Sequence, residues 1–155
     1  MISRRIFSRL PAMAAVSAAA AAAQTQRDVR HNIQGSWNTL MTFSAPPPAP
    51  LPPSFWIYET FFPQGDYISV AALPFTTSAH GSWDSTDDLK IKTRSRLIVL
   101  PQVLGVAVRV EITELITLDW GRYTYTGSFE AVFTPETGSA FTLKGTPAGS
   151  RIPPA

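Results

Sequence analysis

From Trp37 onward, apolar residues recur at every second position rather than every third or fourth, the period of a half-buried β-strand and not of an amphipathic helix. Residues 37–44 put Trp37, Thr39, Met41 and Phe43 on one face. Residues 54–62 form a dense aromatic strand, which Pro63 to Gly65 turns into a second at 66–73. A longer connection over 74–82 follows, after which the chain re-enters at Trp83 and bends through the polar run 84–88. The clearest alternation lies in 89–100: Leu89, Ile91, Thr93, Ser95, Leu97 and Val99 share one face, and Lys90, Lys92, Arg94 and Arg96 the other. Pro101 to Gly105 leads into 106–118, where Val106, Val108, Val110, Ile112, Ile116 and Leu118 face one way and Arg109, Glu111, Thr113 and Thr117 the other. Tight turns at 119–122 and 135–138 join strands at 123–134 and 139–145, and a last extended piece lies at 150–152 before Pro153 and Pro154.

Successive strands joined by hairpins, with no crossover helix between them, predict an all-β domain built as an antiparallel meander. A meander of about eight strands removes its exposed edges most simply by closing into an up-and-down β-barrel. A two-sheet sandwich is the competing architecture. It needs Greek-key crossings, and 74–82 is the one connection long enough to make one. Glu111 is positioned to face the cationic stripe of the preceding strand, where opposite charges across a ladder favour pairing.

The first 23 residues do not share this pattern. Ser3 to Arg9 supplies a basic start, an Ala-rich weakly apolar stretch follows, and Ala21-Ala22-Ala23 precedes Gln24 as a small-residue cleavage site. Residues 1–23 therefore read as an export signal, and Arg4-Arg5-Ile6-Phe7 resembles the twin-arginine consensus although Ser8 stands where leucine is usual. Residues 24–155 form a single barrel domain, expected to be periplasmic or secreted. Taking Arg4, Arg5 and Arg9 from the 13 Lys and Arg leaves 10 against 11 Asp and Glu, a net charge of −1. That balance gives no electrostatic case for nucleic acid, and the mature chain has no further apolar run suited to membrane insertion. The chain has no cysteine, so disulfides, thiolate metal sites and a cysteine nucleophile do not enter. Residues 45–53 hold six prolines and predict a stiff polyproline-like loop over one end of the fold.

Gly35-x-Trp37 at the mouth of the first strand, the meander, the long first connection and Arg151 in a terminal strand together resemble the lipocalin-type (calycin) barrels. The resemblance implies a barrel whose early Trp closes one end, with the late Arg packed over its indole: here Trp37 against Arg151. Allene oxide cyclase and dirigent-like barrels are the second resemblance.

A barrel of this size is just wide enough to be filled by side chains or to hold one small ligand. Its expected lining is Met41, Phe43, Tyr67, Val108, Val110, Ile112, Tyr125, Phe129, Phe133 and Phe141, an apolar cup suited to a hydrophobic small molecule. Strict alternation puts Glu114 on the apolar face, where a carboxyl is a candidate general acid or base; a bulge over 113–115 or a rim position would turn it outward. Glu59 raises the same question in the aromatic strand. His31 and His80 fall in expected loops with no metal-ligand spacing, and no nucleophile elbow, phosphate loop or dinucleotide fingerprint occurs, so neither metal nor cofactor is expected. The expected function is an exported barrel binding a hydrophobic molecule in its interior. The alternatives are a cyclase or isomerase using Glu114 or Glu59, and a filled barrel acting as a protein-interaction module.

Overall fold

The structure, a computed structural model, describes residues 33–87 and 89–154. The expected export segment and His31 lie outside the described residues. Eight strands follow one another in chain order: β1 (Gly35–Phe43), β2 (Ser54–Phe61), β3 (Asp66–Ala71), β4 (Ala79–Asp87), β5 (Lys90–Val99), β6 (Val108–Leu118), β7 (Thr124–Pro135) and β8 (Phe141–Arg151). Each pairs antiparallel with its neighbour, and β1 pairs with β8 as well as β2, closing the barrel. An up-and-down barrel, not a sandwich, is therefore the architecture. One helical turn, α1 (Pro101–Leu104), sits between β5 and β6 and ends at Gly105 in the left-handed conformation.

Two stretches differ from the sequence expectation. Residues 79–87 are a strand where a connection and a polar bend were expected. Their inward positions are Ala79, Gly81, Trp83 and Ser85, of which Gly81 and Ser85 break the apolar alternation, and their pairing with β3 and β5 supplies what propensity lacks. His80 thus lies on a strand, facing outward opposite Arg96, and not in a loop. The second is β8, which runs unbroken from Phe141 to Arg151 where two separate pieces were expected. Its inward row Gly145, Pro147, Gly149 looks like loop composition. The β7–β8 ladder tolerates it by leaving a gap at Pro147, which has no N–H to donate. The Arg96–Glu111 pair forms as expected, at 3.0 Å across β5 and β6.

The interior divides into two apolar halves. At the end where β1 begins, Ile33, Trp37, Phe61, Trp83, Ile91, Ile116 and Leu118 fill the barrel as a plug. The other half is built on Met41, Leu51, Ile57, Val99, Val108, Val110, Phe129, Ala131 and Phe133. Leu51 comes from the proline segment, which folds over this second end as expected.

The plugged end is sealed at the β1–β8 seam. Trp37 is fully buried opposite Arg151 in the ladder, and the guanidinium lies 4.5 Å from the indole centroid. Arg151 Nη1 donates to the Gln34 carbonyl at 2.5 Å and Nε to that of Arg122 at 3.1 Å, while Trp37 Nε1 donates to the Ile33 carbonyl at 2.8 Å. Gly35 has φ 112°, and a Cβ there would sit 3.2 Å from Arg151 Nη1, which explains Gly two residues before the Trp. Replacing Arg151 by Ala is expected to lower the unfolding free energy by about 1–3 kcal/mol, the sum of a cation–π contact and two hydrogen bonds. Arg151→Lys should recover less than half of that, since an ammonium cannot both stack and bridge two carbonyls. Urea denaturation measures both.

Candidate functional site

Between the plug and the second half the inward-facing positions turn polar. Thr39 (β1), Glu59 (β2), Thr93 (β5) and Glu114 (β6) are each at most 2% exposed, and the hydroxyls of Tyr67 (β3) and Tyr125 (β7) join them. Glu114 points inward because nothing interrupts the ladder: residues 113–115 stay in register with both β5 and β7, with Thr93 and Phe129 opposite Glu114. The bulge that would have turned it outward is absent. Glu59 follows the same logic in β2, where Phe55, Ile57, Glu59 and Phe61 point in and Trp56 and Tyr58 point out.

Glu59 is held by three hydroxyls from three strands. Tyr67 donates to Oε1; Tyr125 donates to Oε2, as does Thr39 at 2.5 Å, and the Thr39 and Tyr125 hydroxyl oxygens are themselves 2.7 Å apart. Glu114 Oε2 accepts from Thr93 at 2.9 Å. Burial raises both carboxyls above their ordinary range; in Glu59 the hydroxyls of Thr39, Tyr125 and Tyr67 oppose the rise. Glu114 reaches about 8, through burial first and the neighbouring charge of Glu59 second. The two tyrosines are raised as well, by burial and by the carboxyl charges, so they remain donors.

Gly149 makes this arrangement possible. It lies in β8 between Thr39 of β1 and Tyr125 of β7, and a Cβ there would come within 2.2 Å of Tyr125 Cε1. The Tyr125 ring therefore lies across the glycine to reach Thr39 and Glu59. The sequence signal for it is the period-two row Gly145, Pro147, Gly149, which is legible only once β8 is known to be a strand.

Beyond the polar belt lies a cavity of about 60 Å³. Of the ten expected lining residues, Met41, Phe43, Tyr67, Val110, Ile112, Phe129 and Phe133 border it. Val108 and Phe141 pack in the surrounding core, Phe141 stacked on Phe133 at 4.8 Å, and Tyr125 contributes its ring to the plug and its hydroxyl to the belt. The small inward residues Ser69, Ala71, Ser95 and Ala131 leave the space, and among the described residues Glu114 is the one carboxyl that borders it. Leu51 of the proline segment and Leu73 and Thr76 of the β3–β4 connection line it as well. Sequence reasoning missed these because a loop residue's cover over a barrel end has no periodic signature. Among the described residues no group of three or more His, Cys, Asp and Glu is arranged to hold a metal ion.

Two outcomes follow. Glu114 holds its proton to about pH 8 in the fold but releases it near its ordinary value of 4.5 when unfolded. Its contribution is thus fully present below about pH 4.5, declines as pH rises, and is lost above about pH 8, a difference on the order of a few kcal/mol. Melting temperature should fall across that window, and Glu114→Gln should make the fall much shallower. Gly149→Ala should cost about 1–3 kcal/mol in urea denaturation by driving Tyr125 off its site.

No family model matches the chain, nor does any curated protein or solved structure, so what the site can do follows from its own geometry.

Proposed function

We propose that the protein is an exported barrel of lipocalin-like design that binds a small apolar molecule in its interior, admitted at the end covered by the proline segment. The carrying observation is the cavity, with apolar walls on nearly every side and a polar floor of Glu114, Tyr67, Ser69 and Ser95. Its small volume suits a slender unbranched chain that is enclosed at its leading end and runs on toward the mouth. It also argues against a wholly filled interior, whose close packing leaves no such space. The Trp37–Arg151 closure supports the lipocalin-like design, and the basic, Ala-rich residues 1–23 support export.

A second reading is favoured by one observation. Glu114 lies inward, in a water-poor position at the cavity floor, with its pKa raised to about 8, the condition in which a carboxyl delivers or accepts a proton near neutral pH. A proton-transfer enzyme of the cyclase or isomerase kind uses such a group on a bound apolar substrate.

Binding is tested by melting the protein in buffer saturated with hexane. A ligand at about ten times its Kd stabilises by about 1.4 kcal/mol, a shift of several degrees for a domain of this size. Ala71→Phe, a change at a half-buried wall position, should abolish the shift while leaving the melting temperature without hexane nearly unaltered. No shift in the parent protein would remove the reading.

A further inference from the structure

The polar belt holds two carboxyls in one water-poor layer, and among the described residues no Lys, Arg or His lines the cavity above it. The groups facing that layer come from six strands: the hydroxyls of Thr39, Tyr67, Thr93 and Tyr125, and the carboxyls of Glu59 and Glu114. The remaining two strands turn inward Trp83 and Gly81 (β4) and Gly145, Pro147 and Gly149 (β8), none of them titratable.

Counting protons separates the two carboxyls. Glu59 receives hydroxyl donors on both oxygens, from Tyr67 on one side and from Tyr125 and Thr39 on the other. That is the environment of an ionised, acceptor-only carboxylate. Glu114 receives the Thr93 hydroxyl on Oε2 and has beside it the Tyr67 hydroxyl, whose proton goes to Glu59 Oε1, and it borders the cavity. A second negative charge in the same layer, with no cation among the described residues that line the cavity, would be strongly disfavoured. Glu114 therefore keeps its proton at neutral pH. A protonated carboxyl is a donor, and the open space in front of Glu114 is the cavity itself.

We infer that the cavity selects slender, neutral, apolar molecules whose leading end carries an oxygen acceptor, such as a ketone, aldehyde or ether, and rejects carboxylates of the same length. Glu114 donates its O–H to that oxygen, and the apolar tail lies along Met41, Ile112, Phe129 and Phe133 toward the mouth. Glu59 is a positioning residue: it does not border the cavity, and its charge holds the proton on Glu114. An incoming carboxylate meets that charge with no cation to offset it. The inference rests on the reading of the barrel as an apolar binding site.

The test compares hexane, 2-hexanone and hexanoate by thermal shift and isothermal titration calorimetry at about pH 6.5. The ketone should bind about tenfold tighter than either hexane or hexanoate, the worth of one buried hydrogen bond. Its advantage over hexane should fade with a midpoint near pH 8 as Glu114 ionises. Glu114→Gln keeps an N–H donor and should hold the ketone equally well at about pH 6.5 and about pH 9.5. Glu59→Gln should move the midpoint of the ketone preference to lower pH, a change that a merely structural role would not produce. Hexanoate or hexane binding as tightly as 2-hexanone, or a ketone preference that ignores pH in the parent protein, overturns the inference while leaving apolar binding intact. Failure of all three compounds to bind overturns the reading beneath it.

Discussion

Everything inside this protein depends on β1 being hydrogen-bonded on both sides, to β2 and to β8. A strand paired on both sides has no edge to expose, and once the sheet closes, every second residue of every strand is committed to one shared interior. The register of the seam is set where Trp37 meets Arg151, and the guanidinium there also ties the approach to β1 and the β6–β7 turn to the same point. Closure at that end lets the barrel have a solid plug on one side and unfilled space on the other.

The layer between plug and cavity is costly by itself. Two carboxyls sit in surroundings where an unpaired charge is strongly penalised, and among the described residues their hydrogen-bond partners are hydroxyls. The division of labour is uneven. Glu59 collects three donors and lies behind Tyr67, whereas Glu114 has Thr93, shares the neighbourhood of Tyr67 and borders the cavity. Two residues of the same type thus acquire different protonation and different access. The belt is also where structure and function meet, because Gly149 gives up a side chain so that Tyr125 can complete it.

Much of the fold was legible in the pattern of the chain. Period-two alternation located β1, β2, β3, β5, β6 and β7 to within a few residues, and in β1, β5 and β6 it also gave the inward face. β4 was not legible because Gly81 and Ser85 occupy inward positions that apolar residues usually mark, and β8 because glycine and proline in a strand resemble a loop. The site was half legible. Alternation alone placed Glu114 inward, and Gly35-x-Trp37 with Arg151 pointed to the sealed end. Alternation does not exclude a bulge; the unbroken pairing of β6 with both neighbours does.

The sequence by itself determined the strand period, the inward faces of β1, β5 and β6 and the stiff proline cover, since each is a local property of neighbouring residues along one strand or loop. Only the tertiary structure decided that Glu59 would meet Tyr67, Thr39 and Tyr125 from three other strands, the last of them 66 residues away, and that the charge of Glu59 would in turn bear on Glu114. The physical reason is that the height of a residue in a closed barrel depends on the stagger accumulated over the whole ladder, which no single strand encodes. The volume of the cavity belongs to the same class of outcome, because it is what remains after inward side chains from several strands and the loops above them have packed.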